Sequence, residues 1–480
     1  APSSDALPTR MDAHRTALWG FGVVLALVLL TPLAHAVSYH SHVLPILKAN
    51  CQGCHNPADA DGDFVLTTYD KLMAGGSEGV AIVPGDPDES LLIDAVIGDD
   101  PWMPKGNDPL TAEQIDLLRA WIAEGAVDDT PVVADSISAL EPPVYNAAPV
   151  ISALAYSPDG ETLAVSGYRE ILLHKSDGSK LLGRLVGESH RIEALAYSED
   201  GAVLVASGGS PAQFGEVQLW DTASHTPIRT VRTTYDTVYG VSVSGDASLV
   251  AIGCGDNTAR VLSAADGAER IRFENHGDWV FGTVFSTDST HVVTAGRDGA
   301  LKLIRVEDGA FVDDINASNK GYGGVNCIAR HPSEDQVLSA GDDRIPRLYR
   351  IFRTTRRDVG NTDFNLIRAF EAQGAPVTAV AFSPDGERVA IGSAAGEVRV
   401  YNVSDGTRLS TVTGDAIGVF ALAFHPDGKQ LAAAGFEGEV RLFDAESGNA
   451  IRSFTPVPLT GTSKRAAGAS DETTSDETSG

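Results

Sequence analysis

One short phrase recurs seven times, and it constrains this 480-residue chain more than any other feature. Ala153-Leu154-Ala155-Tyr156-Ser157-Pro158-Asp159-Gly160 returns as Ala194-Leu195-Ala196-Tyr197-Ser198, Val241-Ser242-Val243-Ser244 and Thr283-Val284-Phe285-Ser286. It returns again as Cys327-Ile328-Ala329-Arg330-His331, Ala379-Val380-Ala381-Phe382-Ser383 and Ala421-Leu422-Ala423-Phe424-His425. Measured on the closing Ser or His, the steps are 41, 46, 42, 45, 52 and 42 residues. Each copy orders an apolar strand, an Asp-Gly type of turn and a small-residue strand such as Thr162-Leu163-Ala164-Val165-Ser166. An alternating third strand follows, as in Val217-Gln218-Leu219-Trp220-Asp221 and Val398-Arg399-Val400-Tyr401-Asn402, and a fourth, as in Ala450-Ile451-Arg452-Ser453-Phe454. One such unit cannot bury its own faces, so the copies must stack on one another.

The repeats resemble the WD40 family over Ala148 to about Pro458, although only Trp220-Asp221 keeps the Trp-Asp pair, with Phe443-Asp444 close to it. The Gly-His ahead of each unit survives as Ser189-His190 and Asn275-His276. The resemblance implies an all-β seven-bladed propeller that serves as a protein-docking platform. His331 and His425 precede Pro where other copies carry Ser, which points to a turn role. No Ser-His-Asp or paired-carboxylate set stands apart from the many turn aspartates. The last copy supplies its own fourth strand, so the ring is expected to close without a strand exchanged from Pro143 to Ala147.

The chain carries 65 acidic and 36 basic residues, a formal charge of −29 that repels nucleic acid and favours cationic partners or a salty habitat. Near the start, Arg10 and Arg15 precede an apolar run from Ala17 to Leu30, and Ala34-His35-Ala36 has a small-x-small cleavage pattern. Residues 11–36 therefore read as a secretory signal peptide, with a periplasmic or extracytoplasmic product beginning near Val37. A spanning anchor needs about 20 apolar residues, more than this run offers.

Between the signal and the repeats lies Cys51-Gln52-Gly53-Cys54-His55, the C-x-x-C-H spacing that attaches one haem c covalently. Two intervening residues bring both sulfurs to one porphyrin edge, and His55 then reaches the iron. Chance placement of 4 Cys and 12 His gives this arrangement on the order of once in a thousand. Zinc would need a second close ligand pair, a thioredoxin-like pair would need a βαβ setting, and a plain disulfide leaves His55 without a role. Cys254 and Cys327 fall in apolar strand-like stretches and read as small buried hydrophobes. For the sixth iron position Met103, bracketed by Pro101 and Pro104, has little packing reason to exist, whereas Met73 reads as a core side chain. His40 and His42 rank behind Met103.

Thr111-Ala112-Glu113-Gln114 is a capping box opening a helix that runs to Gly125, with Trp121 either core or covering a haem edge. Ser90 offers a cap for a helix over Leu91 to Ile97. Residues Tyr39 to Ala126 resemble the planctomycete-type c-type cytochrome module, through Val43-Leu44-Pro45-Ile46-Leu47, Cys51 to His55, Val83-Pro84-Gly85-Asp86-Pro87, Trp102-Met103-Pro104 and Leu118-Arg119-Ala120-Trp121-Ile122. That resemblance implies a small all-α domain with His55 and Met103 as axial ligands.

The expected organisation is a signal peptide over 11–36, a haem domain over 37–126, a linker over 127–147, a propeller over 148–458 and a disordered acidic tail over 459–480. The expected function is electron transfer by an exported single-haem cytochrome whose propeller docks a redox partner. The alternatives are a haem-dependent oxidoreductase with an active site on the propeller and a scaffold whose haem is structural. No residue demands catalysis.

Overall fold

The computed structural model describes residues 37–56, 59–67, 69–98, 101–105, 108–128, 140–317, 321, 323–355, 365–412 and 418–460. The expected signal peptide, the middle of the expected linker and nearly all of the expected tail lie outside the described residues. Among the described residues no helix is long and apolar enough to cross a membrane.

The N-terminal region is small and its helices are few and short. A π-helical turn over Tyr39–Val43 leads into α1, Leu44–Asn50, whose Pro45 sits in the first turn, where a missing N–H costs nothing. Next come α2, Tyr69–Ala74, α3, Leu91–Val96, and α4, Ala112–Ala123. The capping box forms as read: Thr111 Oγ1 accepts Gln114 N at 3.2 Å, and Gln114 Oε1 accepts Thr111 N at 2.9 Å. Ser90 departs from its expected part. Its hydroxyl donates to Asp86 O at 2.8 Å and accepts Val83 N at 2.9 Å, bracing the loop before α3 and leaving the helix uncapped by its side chain. The region is also not purely helical, because His55–Asn56 pairs antiparallel with Asp59–Ala60. Its core gathers around Trp121, which stacks on Tyr39 at 5.2 Å and donates Nε1–H to Val127 O at 3.0 Å.

The repeats form seven four-stranded antiparallel sheets arranged as the blades of a propeller. Blade 1 runs from Leu154 to Val186, and blade 7 comprises Val419–Phe424, Gln430–Gly435, Val440–Asp444 and Ala450–Phe454. Strand order follows chain order within every blade, so blade 7 takes all four strands from its own repeat. Second strands such as Gln430–Gly435 bury small side chains, which lets neighbouring sheets approach closely.

The recurring Ser has a mechanical reason. Ser157 Oγ donates to Asp159 Oδ1 at 2.5 Å and accepts Thr162 N at 3.0 Å, clasping the turn between the first two strands. Ser198, Ser244 and Ser286 bond Asp200, Asp246 and Asp288 in the same way at 2.6 to 2.7 Å, and Ser383 bonds Asp385. His425 replaces that Ser in blade 7 and spans the closing seam, donating Nε2–H to Gly160 O of blade 1 at 2.9 Å. Gly160 is held at φ +76°, and a Cβ there would stand only 3.0 Å from the same imidazole.

The seam is sealed by residues outside the named strands. Tyr145, inside the expected linker, is buried, donates to Glu170 Oε1 at 2.7 Å and bridges in parallel to Leu459. Thr460 N donates to Tyr145 O at 2.8 Å, so the first two residues of the expected tail are held in place.

Candidate functional site

Helix α1 ends at Asn50 because Cys51 leaves helical geometry, with φ −127° and ψ −38°. Its N–H still bonds Leu47 O, so the departing turn is anchored. Cys54 N and His55 N then both return to Cys51 O, at 3.3 and 3.1 Å, folding the motif into one tight turn. Asn56 Nδ2 bonds Gln52 O and Gly53 O and tightens it further. His55 therefore sits in the two-residue ladder rather than on a helix. Its Nδ1 lies 3.2 Å from Phe64 O. A carbonyl only accepts, so Nδ1 carries the proton and Nε2 keeps a lone pair free for a metal.

Cys51, Cys54, His55 and Met103 all line one cavity of about 290 Å³. The remaining wall is largely apolar, with Phe64 and Leu66 on one segment, Leu92, Ala95 and Val96 on α3, and Trp102 beside Met103. Met103 N donates to Ala95 O at 3.0 Å, tying its loop to the end of α3. All four cysteines are free thiols, so the motif holds no disulfide. Burial pushes the Cys51 thiol up to about 11, so it stays protonated at neutral pH. Two thiols, an imidazole with Nε2 available and a thioether on an apolar wall fit the donor set of a covalently held haem. Met73 packs against the core and does not line the cavity. Neither does the exposed His42, and the His40 side chain lies outside the described residues. Among the described residues no three His, Cys, Asp or Glu side chains converge as a metal-ion site.

The propeller holds a second cavity, about 450 Å³, where the innermost strands of the blades meet. Ser152, Glu193, Tyr239, Phe281, Asn326, Thr378 and Phe420 line it, each five residues before the closing Ser or His of its repeat. Burial raises the Glu193 carboxyl above its ordinary range, and Arg191 stands 3.2 Å away as its ion-pair partner. Elsewhere, His276 links Thr294 Oγ1 at 2.7 Å to Asp298 at 3.0 Å, the order of a hydrolytic triad. The Thr294 hydroxyl is buried and lines neither of the two cavities described, so the three side chains stitch blade 4 together. In blade 2, Trp220 Nε1 donates to Gln218 Oε1, and Gln218 Nε2 and Ser189 Oγ converge on the buried Glu216.

Comparison with known families matches two segments. The family described as planctomycete cytochrome C matches residues 51–106, from the first motif Cys past Met103. The propeller family described as nucleolar protein 10-like, N-terminal domain, matches residues 185–464, more than half of the chain. The chain belongs to that propeller family. Curated relatives show a more distant likeness. A guanine nucleotide-binding protein subunit beta-like protein of Encephalitozoon cuniculi is 23% identical over 35% of this chain and 53% of its own length. WD repeat-containing protein 1 of Mus musculus is 35% identical over 22% of this chain and 16% of its own. The human angio-associated migratory cell protein is 26% identical over 37% of each. The chain thus spans about half or less of the length of these curated relatives.

The nucleolar protein 10-like match begins in the last strand of blade 1, so the first three strands of that blade are recognised by their internal repetition alone. The cytochrome match likewise leaves out α1 and α4, which contribute Ile46, Leu47, Leu118, Trp121 and Ile122 to the core of that region. Several cavity residues escape sequence reasoning. Phe64 stands edge-on to His55 at 5.4 Å, and Lys105 pairs with Asp61 at 3.3 Å with both lining the cavity. Trp102 lines it too, whereas Trp121, read as a possible cover for the group, belongs wholly to the core. The sequence signal for Trp102 was its place next to Met103.

Proposed function

We propose that the protein is an exported single-haem c-type cytochrome for electron transfer, with the propeller as its protein-docking platform. The observation that carries this reading is the convergence of Cys51, Cys54, His55 and Met103 on one apolar cavity. Cys51 and Cys54 would hold the haem through thioethers, and His55 Nε2 and Met103 Sδ would ligate its iron, in a small cytochrome c-like domain. When bound, haem c supplies a one-electron iron centre. Phe64 O orients His55, and the apolar side chains of Phe64, Leu66, Leu92 and Val96 would keep water from the bound metal. Export is supported by the apolar run after Arg15 and by the small-x-small pattern at Ala34-His35-Ala36. Docking on the propeller is supported by the WD-repeat relatives and by the wide, open ring of inner-strand residues.

Mass spectrometry of the native product tests attachment, which requires haem to stay with the polypeptide in acidified organic solvent. Met103→Ala tests ligation. It should lower the reduction potential and admit carbon monoxide to the ferrous form, while Met73→Ala does neither. The opposite pattern would transfer the ligand role to Met73.

A further inference from the structure

The cavity wall is built from segments that also turn apolar side chains outward. Gly79 and Ala81 line it while Val80 between them is 57% exposed. Val96 lines it while the next residue, Ile97, is 40% exposed. Trp102 lines it and is itself 50% exposed. These segments are tied to one helix, since Leu92 N at the start of α3 donates to Ala81 O at 2.9 Å and Met103 N donates to Ala95 O near its end. Small soluble domains rarely gather large exposed apolar groups in one place unless something covers them. The charges lining the cavity are Asp61, Glu78 and Lys105, and Lys105 is already paired with Asp61. Glu78 has no ion-pair partner among the described residues, and its carboxylate stands on a chain of formal charge −29.

We infer that Val80, Ile97 and Trp102 frame the face through which electrons are exchanged, and that the partner is a redox protein presenting an apolar centre with a basic rim. The inference rests on the haem reading and adds where exchange happens and what the partner looks like. Apolar contact supplies the short-lived close approach, and Glu78 with the acidic field steers the encounter. One electron leaves the ferrous iron of one protein and reduces the ferric iron of the other, with no bond made or broken.

The test uses the purified full-length holoprotein and its Val80→Ser/Ile97→Ser variant. Both side chains are exposed, and neither is among the cavity-lining residues. The probes are a lysine-rich mitochondrial cytochrome c and hexaammineruthenium, a small cationic complex that needs no docking surface. The double substitution should slow exchange with the protein probe about tenfold and leave the ruthenium rate unchanged. Glu78→Lys should also slow the protein probe and flatten its dependence on ionic strength. An unchanged protein rate would overturn the inference. So would an equal fall in both rates, because the substitutions would then act on the haem rather than on docking. A wild type that sediments as a dimer, with a monomeric double variant, would assign the face to a second copy and overturn it as well. Failure of the haem reading shows itself separately, as a native product without a haem absorption band.

Discussion

The two described regions solve the same problem, burying enough apolar surface, in opposite ways. The propeller repeats one solution, and each blade buries its faces against two neighbours. The cytochrome-like region has no such repetition. Its helices run to 7, 6, 6 and 12 residues, shorter for the most part than a helix that holds alone, and its core ends at the wall of a cavity. The lesson is that one region is stabilised by its own copies and the other is shaped around a space to be filled.

The comparison breaks most visibly if the filling is withheld. In a Cys51→Ser/Cys54→Ser protein the apolar wall would face water, and a region this small has little stability in reserve. Limited proteolysis should then cut readily within 37–128, while the propeller's unfolding transition stays where it was. A cytochrome-like region that remains protected would mean that its core suffices without the attached group.

The second way to probe the contrast is to break the propeller where its ends meet. Glu170 is fully buried and Arg184 mostly so. Arg184 Nε and Nη2 grip both carboxylate oxygens at 2.6 Å, and Nη2 also bonds Pro143 O. Arg184→Ala leaves that carboxylate buried without its cation and should cost about 3–5 kcal/mol. Urea titration followed by far-ultraviolet circular dichroism measures this, and Glu170→Gln in the same chain should restore part of the loss. Under the proposed haem reading the absorption spectrum should not change, because none of these residues lines the cavity of the cytochrome-like region.

What could be read in advance follows the same division. The propeller was legible because repetition turns weak local signals into a strong one: the strand over Val398–Asn402 and the final strand over Ala450–Phe454 fall where alternation and spacing put them. The capping box at Thr111 was legible because its hydrogen bonds span three residues. The polar stitching of blades 2 and 4 was not, since Glu216 and Thr294 look like any strand residues until the chain folds back on them. Tyr145 was hidden in the same way, its partners Glu170 and Leu459 being 25 and 314 residues distant. In the cytochrome-like region the motif and Met103 stood out by composition. Phe64, Trp102 and the Lys105 to Asp61 pair lie outside the four α-helices and are defined only by the cavity they line, of which periodicity carries no trace.

The smallest effect belongs to the Ser–Asp clasp, which sharpens the contrast because the cytochrome-like region has no counterpart to this repeating turn. Ser244 Oγ donates to Asp246 Oδ1 at 2.7 Å and accepts Leu249 N at 2.9 Å, while Ser248 N adds a further bond to Asp246 at 3.0 Å. The Ser244 hydroxyl, followed by the bonds from Ser248, holds the Asp246 carboxyl down at about 2. An unfolded Asp titrates near 3.9, so the folded value is the lower one and the carboxylate's contribution is present above about pH 4. It is lost as pH falls from there toward 2. Ser244→Ala removes the buried hydroxyl and should cost about 1–2 kcal/mol at neutral pH, mostly through the unsatisfied Leu249 N–H. The variant's Asp246 should titrate closer to its unfolded value, so the gap between wild type and variant should narrow as pH drops through that window. Urea midpoints at neutral pH and near pH 2 measure the gap at both ends. A gap that stays constant would show that Ser244 serves the backbone alone and that its bond to Asp246 contributes nothing to the turn.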